Sequence, residues 1–300
     1  MSLASTGSNQ RAVRGIWQRR FQVFWRSSVL TRACTVGLAV MILIALVPPS
    51  WWPTSASEIN LLLRLQAPGT AADGSFHLLG TDALGRDLFY RVLAGTRLTL
   101  MISVLATLIA TITGTIAGLA IGYFRGWLDT ILSRVIDIML AFPTLLLVLA
   151  LVVAIGQSKS TLIVVLGVAG WAGYTRVIRG TVMSLQGMEY VEASRAVGAR
   201  SPHIIWNHLL PNAASPILVL STLSLASIVL SESSVSFLGL GVQPPEMTWG
   251  GMIGDGRSHM FNAWWVAFTP GLAIVLVVLI FNVIGDSIRD AFDPRSRADT

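Results

Sequence analysis

The sequence Glu189-Tyr190-Val191-Glu192-Ala193-Ser194-Arg195-Ala196-Val197-Gly198-Ala199 lies inside a polar interruption, 176–211, that parts two uncharged apolar runs and closes on His208-Leu209-Leu210-Pro211. Ala193, Ala196 and Ala199 fall three apart, so one face of a short helix carries almost no side chain and another protein can approach its backbone closely. Glu192 lies beside that small face. Gly198 either ends the helix or admits a close contact. Ser201-Pro202 supplies an N-cap followed by proline at the first helical position, which predicts a second short helix over 202–210. The interruption therefore reads as two short helices with a bend, built for docking and hung between membrane-spanning segments.

Composition agrees with a membrane setting. The 300 residues are 53% hydrophobic and only 12% charged, whereas a soluble domain carries about 25% charged residues. The net charge of +6 does not describe a nucleic-acid binder, because the basic residues lie between apolar runs rather than on one soluble face. Lys159 is the only lysine, and in Gly156-Gln157-Ser158-Lys159-Ser160-Thr161 a serine stands where a phosphate-binding loop requires glycine, so the chain is not its own ATPase. One cysteine, Cys34, excludes an intrachain disulfide and a thiolate metal cluster. His77, His203, His208 and His259 show no metal-ligand spacing, and no Gly-x-Ser-x-Gly nucleophile turn is present. No catalytic residue and no metal site is expected.

Six apolar runs approach the roughly 20 residues a bilayer demands: 29–48, 98–122, 138–157, 160–176, 214–232 and 264–285. The fourth is short, but Lys159 and Arg176 at its ends can snorkel. Trp51, Trp52, Trp127, Trp264 and Trp265 lie near span ends, as interfacial aromatics do. On this topology 15 of the 21 basic residues share a side with both termini and with 176–211, which predicts a cytoplasmic location for all three. Residues 1–28 carry five arginines among aromatics and no cleavage site, and read as a retained cytoplasmic tail. The organisation expected is this tail, then a first span with its outer loop, 29–97, then a core of five spans, 98–300.

Within the second span, Gly114, Gly118 and Gly122 form a small-residue stripe that calls for intimate contact with another helix. Pro143 predicts a kink in the third, and Asp137 pairs naturally with Arg134 one turn earlier. Ser224, Ser227, Ser231 and Glu232 on the fifth span are candidates for a polar pathway or outer gate, because an ionisable group in a span is a functional candidate by default. The alternative is that Glu232 anchors the outer boundary while the serines pack helices.

Four stretches together resemble one family. Glu192-Ala193-Ser194, three residues, Gly198 and then Leu210-Pro211 is similar to the "EAA" loop of ABC-importer permeases, with Ser194 in place of an alanine and His208 in place of an isoleucine. His208 to Asn212 instead resembles the His-x-Leu-Pro-Asn variant of the peptide and nickel branch. Leu79-Gly80-Thr81-Asp82-Ala83-Leu84-Gly85-Arg86-Asp87, with Arg91 and Gly95-Thr96-Arg97, resembles that branch's signature before the second span of its C-type subunits. Asp82, Arg86 and Asp87 there can form salt-bridged caps. Ser236 to Pro245 with Trp249-Gly250, and Gly285 to Arg295, match two further segments, with Met247 where proline is usual.

The resemblance implies an all-α polytopic protein of six transmembrane helices in the type I, MetI-like permease fold, set in the bacterial inner membrane. It implies half of a translocation pathway for dipeptides or oligopeptides, with nickel-chelate or glutathione import as alternatives within the family. Implied partners are a homologous second permease, one or two ATP-binding subunits that bind ATP and magnesium, and an extracytoplasmic substrate-binding protein. Glu192, Ala193, Ser194, Gly198, Ala199, Leu210 and Pro211 take the ATPase-coupling role. A gradient-driven secondary transporter is the rival class, but no inverted repeat supports it.

Overall fold

The computed structural model describes residues 28–48, 51, 58–72 and 75–292. Nearly the whole 1–28 tail and the residues after 292 lie outside this set. Where water is absent every backbone polar group must be satisfied within its own segment, and the chain answers with helices. In order they are α1 (Val29–Leu46), α2 (Leu88–Phe124), α3 (Gly126–Ala141), α4 (Thr144–Ile155), α5 (Lys159–Gln186), α6 (Glu189–Ala196), α7 (Ser201–Phe237), α8 (Trp249–Gly256) and α9 (Trp265–Phe292). A two-stranded antiparallel hairpin, β1 (Thr70–Ala72) with β2 (Ser75–His77), sits between α1 and α2.

Among the described residues five helices are long and apolar enough to cross a membrane, and the bent pair α3–α4 makes a sixth if it is counted as one span. The expected kink is a 95° break. Pro143 sits at the N-cap of α4, where its missing N–H costs nothing. Several spans exceed their predicted bounds, α9 among them in running to Phe292 rather than 285. α2 begins at Leu88 rather than 98, because Arg91, Thr96 and Arg97 look like loop residues yet are wound into the helix. α5 continues to Gln186, and the second short helix expected over 202–210 does not stop but runs on to Phe237. Only 187–200 therefore links α5 to α7.

Packing follows the small-residue stripe. α2 and α5 make the most extensive helix pair of the fold, seamed where Gly114, Gly118 and Gly122 lie under Tyr174, Ile178 and Val182. A β-carbon at Gly118 would stand 2.8 Å from that of Ile178, and one at Gly122 2.8 Å from that of Val182. Backbones this close gain dispersion contacts that replace the hydrophobic driving force missing between helices in lipid. Four buried clusters form among the described residues, the smallest around Ile121, Ile136 and Ala172. Of the others, one lies around Trp249, Trp265 and Phe281, one around Ile102, Val148 and Leu166, and one around Tyr174, Ile178, Val191, Ile204 and Leu209. The outward faces stay apolar, with Val36, Leu43, Ile112, Ile116 and Val275 more than half exposed.

Asp137 does not pair with Arg134. α3 is laid against α5, so Asp137 meets Arg176 at 2.6 Å, and Arg179 makes a bidentate contact with Asp129 at 2.6 and 2.8 Å. The first pair is largely exposed, and a pair in that setting contributes little. The second has the fork geometry that makes arginine–carboxylate pairs effective. Replacing either Asp129 or Arg179 by alanine is expected to lower stability by about 1 kcal/mol. Exchanging the two charges, Asp129→Arg with Arg179→Asp, should recover part of that loss. Thermal melting of the detergent-solubilised protein reads both, and strictly additive losses in the exchange variant would contradict the role given to the pair.

Candidate functional site

The two ends of α2 lie about 55 Å apart at 1.5 Å per residue, and each end carries a cavity. At its C-terminal end sits α6. Glu189 and Glu192 occupy the first turn and Arg195 the last, the arrangement that complements the helix dipole. Past Ala196 the chain makes a Schellman turn. The amide of Gly198 donates to the carbonyl of Arg195 and that of Ala199 to the carbonyl of Ser194, both at 3.1 Å. Gly198 is at φ +82°, which is why glycine stands there.

A single apolar anchor holds this helix to the bundle. Val191 is fully buried in the cluster that also holds Val182, Ile204 and Leu209. Arg195 sits 5.8 Å from the centre of the Tyr123 ring, and the Gln186 side chain donates to the Gly122 carbonyl at 2.8 Å, tying the end of α5 to α2. Tyr190 meets the ring of His208, and His208 that of His203. Glu192, Ala193, Ala196 and Gly198 remain exposed, with Ser194 half-buried. Ala199 is not on the same helical face as the other two alanines, because the Schellman turn folds it back onto the buried cluster.

Ser201 is the first helical residue of α7, not its cap, which is Arg200. Leu210 packs on the same cluster as Val191, and Pro211 is exposed in the helix. Proline brings no N–H to the helical ladder. The helix passes it through a π-turn over Ile205–Leu209, and the Asn212 side chain donates to the His208 carbonyl at 2.6 Å. This turn is the reason the predicted short helix and the fifth span form one rod. A cavity of about 580 Å³ opens between Tyr123, Arg125, Met183, Gln186, Glu192 and Arg195.

The opposite end is a folded cap. Asp87 is the N-cap of α2, accepting from the amides of Phe89 and Tyr90, and it also meets Nδ1 of His77 at 2.8 Å. Asp82 accepts from the amides of Leu84 and Arg86 and from Nε of Arg86 at 2.7 Å. The Thr81 hydroxyl donates to the Leu63 carbonyl, and the Trp265 indole donates to the Thr81 carbonyl at 3.3 Å. The expected salt-bridged caps are thus in place, and Arg91 of the same signature is drawn under them, its Nε 3.3 Å from Asp82.

Glu232 is fully buried and accepts from Ser236 at 2.7 Å, with the hydroxyls of Ser233 and Thr248 also bonded to it. Ser227 and Ser231 instead turn back to their own helix, donating to the carbonyls of Leu223 and Ser227, while Ser224 is half-buried. The structure therefore separates Glu232 from the serine row. Its hydroxyl partners Ser236 and Thr248 line a cavity of about 890 Å³ beneath the cap.

Residues 114–298 match the family described as binding-protein-dependent transport system inner membrane component. Over 285 residues the chain is 38% identical to the dipeptide transport system permease protein DppC of Alkalihalophilus pseudofirmus, covering 94% of this chain and 91% of the relative. It is 36% identical over 293 residues to the glutathione transport system permease protein GsiD of Pectobacterium atrosepticum, covering 96% and 94%. Among solved structures, a chain of the inward-facing MetNI methionine ABC transporter superposes with a TM-score of 0.56 at 19% identity, covering 69% of this chain and 98% of that one. That likeness shows the fold.

Proposed function

The chain belongs to the family of binding-protein-dependent transport system inner membrane components, and from that premise we propose that it is the C-type permease subunit of an ATP-driven importer of dipeptides or oligopeptides. The observation that carries the coupling role is α6: a short exposed helix, fixed to the bundle by the one buried side chain of Val191 and presenting Glu192, Ala193 and Ala196 outward. The peptide class rests on relatives matched over nearly their whole length. Glutathione import is the second reading, favoured by the likeness to GsiD over 96% of this chain.

In this reading the α6 end and both termini face the cytoplasm. Separate ATPase chains bind nucleotide and magnesium and dock on α6, a homologous permease supplies the other half of the pathway, and a binding protein delivers solute to the capped end. The chain's own part is mechanical. A push on α6 reaches α5 and α7 together, because Val191 belongs to one buried cluster with Val182 of α5 and Ile204 and Leu209 of α7. α5 then carries α2 with it through the glycine seam. The bundle thereby tilts as a unit and exposes the pathway alternately to the two sides.

The test is a mild-detergent pull-down of the tagged chain from native membranes, with mass spectrometry and an ATPase assay. Recovery of a second permease, P-loop subunits and a peptide-binding protein is expected. Recovery of this chain alone, intact and without ATPase activity, would sink the reading.

A further inference from the structure

We infer that the cavity beneath the cap is a binding site for a zwitterion, taking the terminal carboxylate of a short peptide on Arg91 and its terminal amine on Asp255. The inference rests on the peptide reading above and adds to it a specific site within this chain. The cavity, about 890 Å³, is of ordinary ligand-site size. Its wall is mixed, with apolar Met247, Met252 and Val266 facing polar Ser236, Gln243 and Thr248. Three acids and three bases line it: Asp82, Glu246 and Asp255, and Arg86, Arg91 and Arg257.

Two of the six charged groups are spoken for internally and one externally. Asp82 and Arg86 are paired at 2.7 Å, and Glu246 is paired with Lys159 at 2.5 Å. Arg91 differs from these. Its side chain is only 4% exposed, and although Nε lies 3.3 Å from Asp82, neither Nε nor Nη1 makes a hydrogen bond. A buried guanidinium left with idle donors is costly, and the planar fork is shaped to receive a carboxylate. Asp255 is exposed on the same wall and acts electrostatically on Arg91. Arg91, with unbonded donors beside its ion pair to Asp82, lines one cavity with Asp255 and with a further exposed cation, Arg257, and a ligand that carries both charges complements that lining.

The site is tested on the purified complex in nanodiscs, stripped of its binding protein, by saturation-transfer difference NMR, which detects weak ligands. The probes are dialanine, dialanine amide and N-acetyl-dialanine. Dialanine should give a signal, and each blocked probe a signal weaker by about tenfold, the effect of one lost charge-assisted contact. Arg91→Gln should reduce dialanine to the level of its amide. Asp255→Asn, at an exposed position that leaves the fold alone, should reduce it to the level of the N-acetyl probe, so the site stays testable if Arg91→Gln fails to fold.

Equal signals from all three probes, or none, overturn the site. So does an Arg91→Gln variant that binds dialanine normally yet loses the binding protein, which would assign Arg91 to protein docking. Dialanine uptake by cells carrying the complete transporter is measured alongside. Uptake without a signal sinks the site and leaves the transporter. No uptake by the wild type sinks the peptide reading, whatever the NMR shows.

Discussion

Gly118→Leu is expected to abolish accumulation of folded protein in the membrane. The reason is geometric. Even the first carbon of a side chain at this position would lie 2.8 Å from the β-carbon of Ile178 and 3.0 Å from the Thr175 carbonyl oxygen, and neither of those atoms can swing away. Overpacking a tight core costs about 1–3 kcal/mol where side chains can adjust. Here the adjustment must come from two helix backbones, so a loss of more than about 3 kcal/mol is expected. Gly173→Leu is the control. It lies on the partner helix of the seam, α5, with nothing near its added carbon, and should be tolerated. Fluorescence-detected gel filtration after a heat step compares them. A Gly118→Leu variant that runs as a single peak and melts like the parent would mean that the α2–α5 seam does not hold the fold.

That seam was legible in the sequence because glycine every fourth residue in an apolar run has little other use, and the 95° break was legible in Pro143. What the sequence concealed was continuity. Polar residues at 176–186 and 201–211 look like loop when read for hydropathy, yet the helices run through them, since a helix projecting beyond the bilayer needs no apolar face there. Pro211 reinforced the error: a proline usually stops a helix, and only the π-turn at Ile205–Leu209 lets this one pass. Among the coupling candidates, Glu192, Ala193 and Gly198 could be placed from local spacing alone. Ala199 could not, because its side depends on the handedness of the turn at Gly198. The Asp129–Arg179 pair was invisible for a different reason: its members lie 50 residues apart on two helices, and no periodicity encodes that.

Glu192→Arg should cut peptide uptake at least about tenfold, the effect of removing one charged contact at a docking surface and adding a repulsive one, while the protein accumulates and melts as the parent does. The structure supports the second half of that expectation directly. Glu192 is exposed, makes no ion pair, and contributes to α6 chiefly by its charge near the helix N-terminus, which is a matter of a few tenths of a kcal/mol to about 1 kcal/mol. What fixes α6 is Val191, and that residue is untouched. Gly198→Trp reaches the same surface by another route. A β-carbon added at Gly198 meets nothing within 4 Å. The left-handed backbone costs about 1–2 kcal/mol for a side chain, and the bulk stands where a docked subunit would lie. The two variants separate coupling from folding. If α6 transmits the push, both leave ATP hydrolysis in the purified complex, or lose the ATPase subunits from it, while uptake falls. Normal uptake by an inserted, folded Glu192→Arg variant would remove α6 from the coupling path and leave the exposed helix without a function.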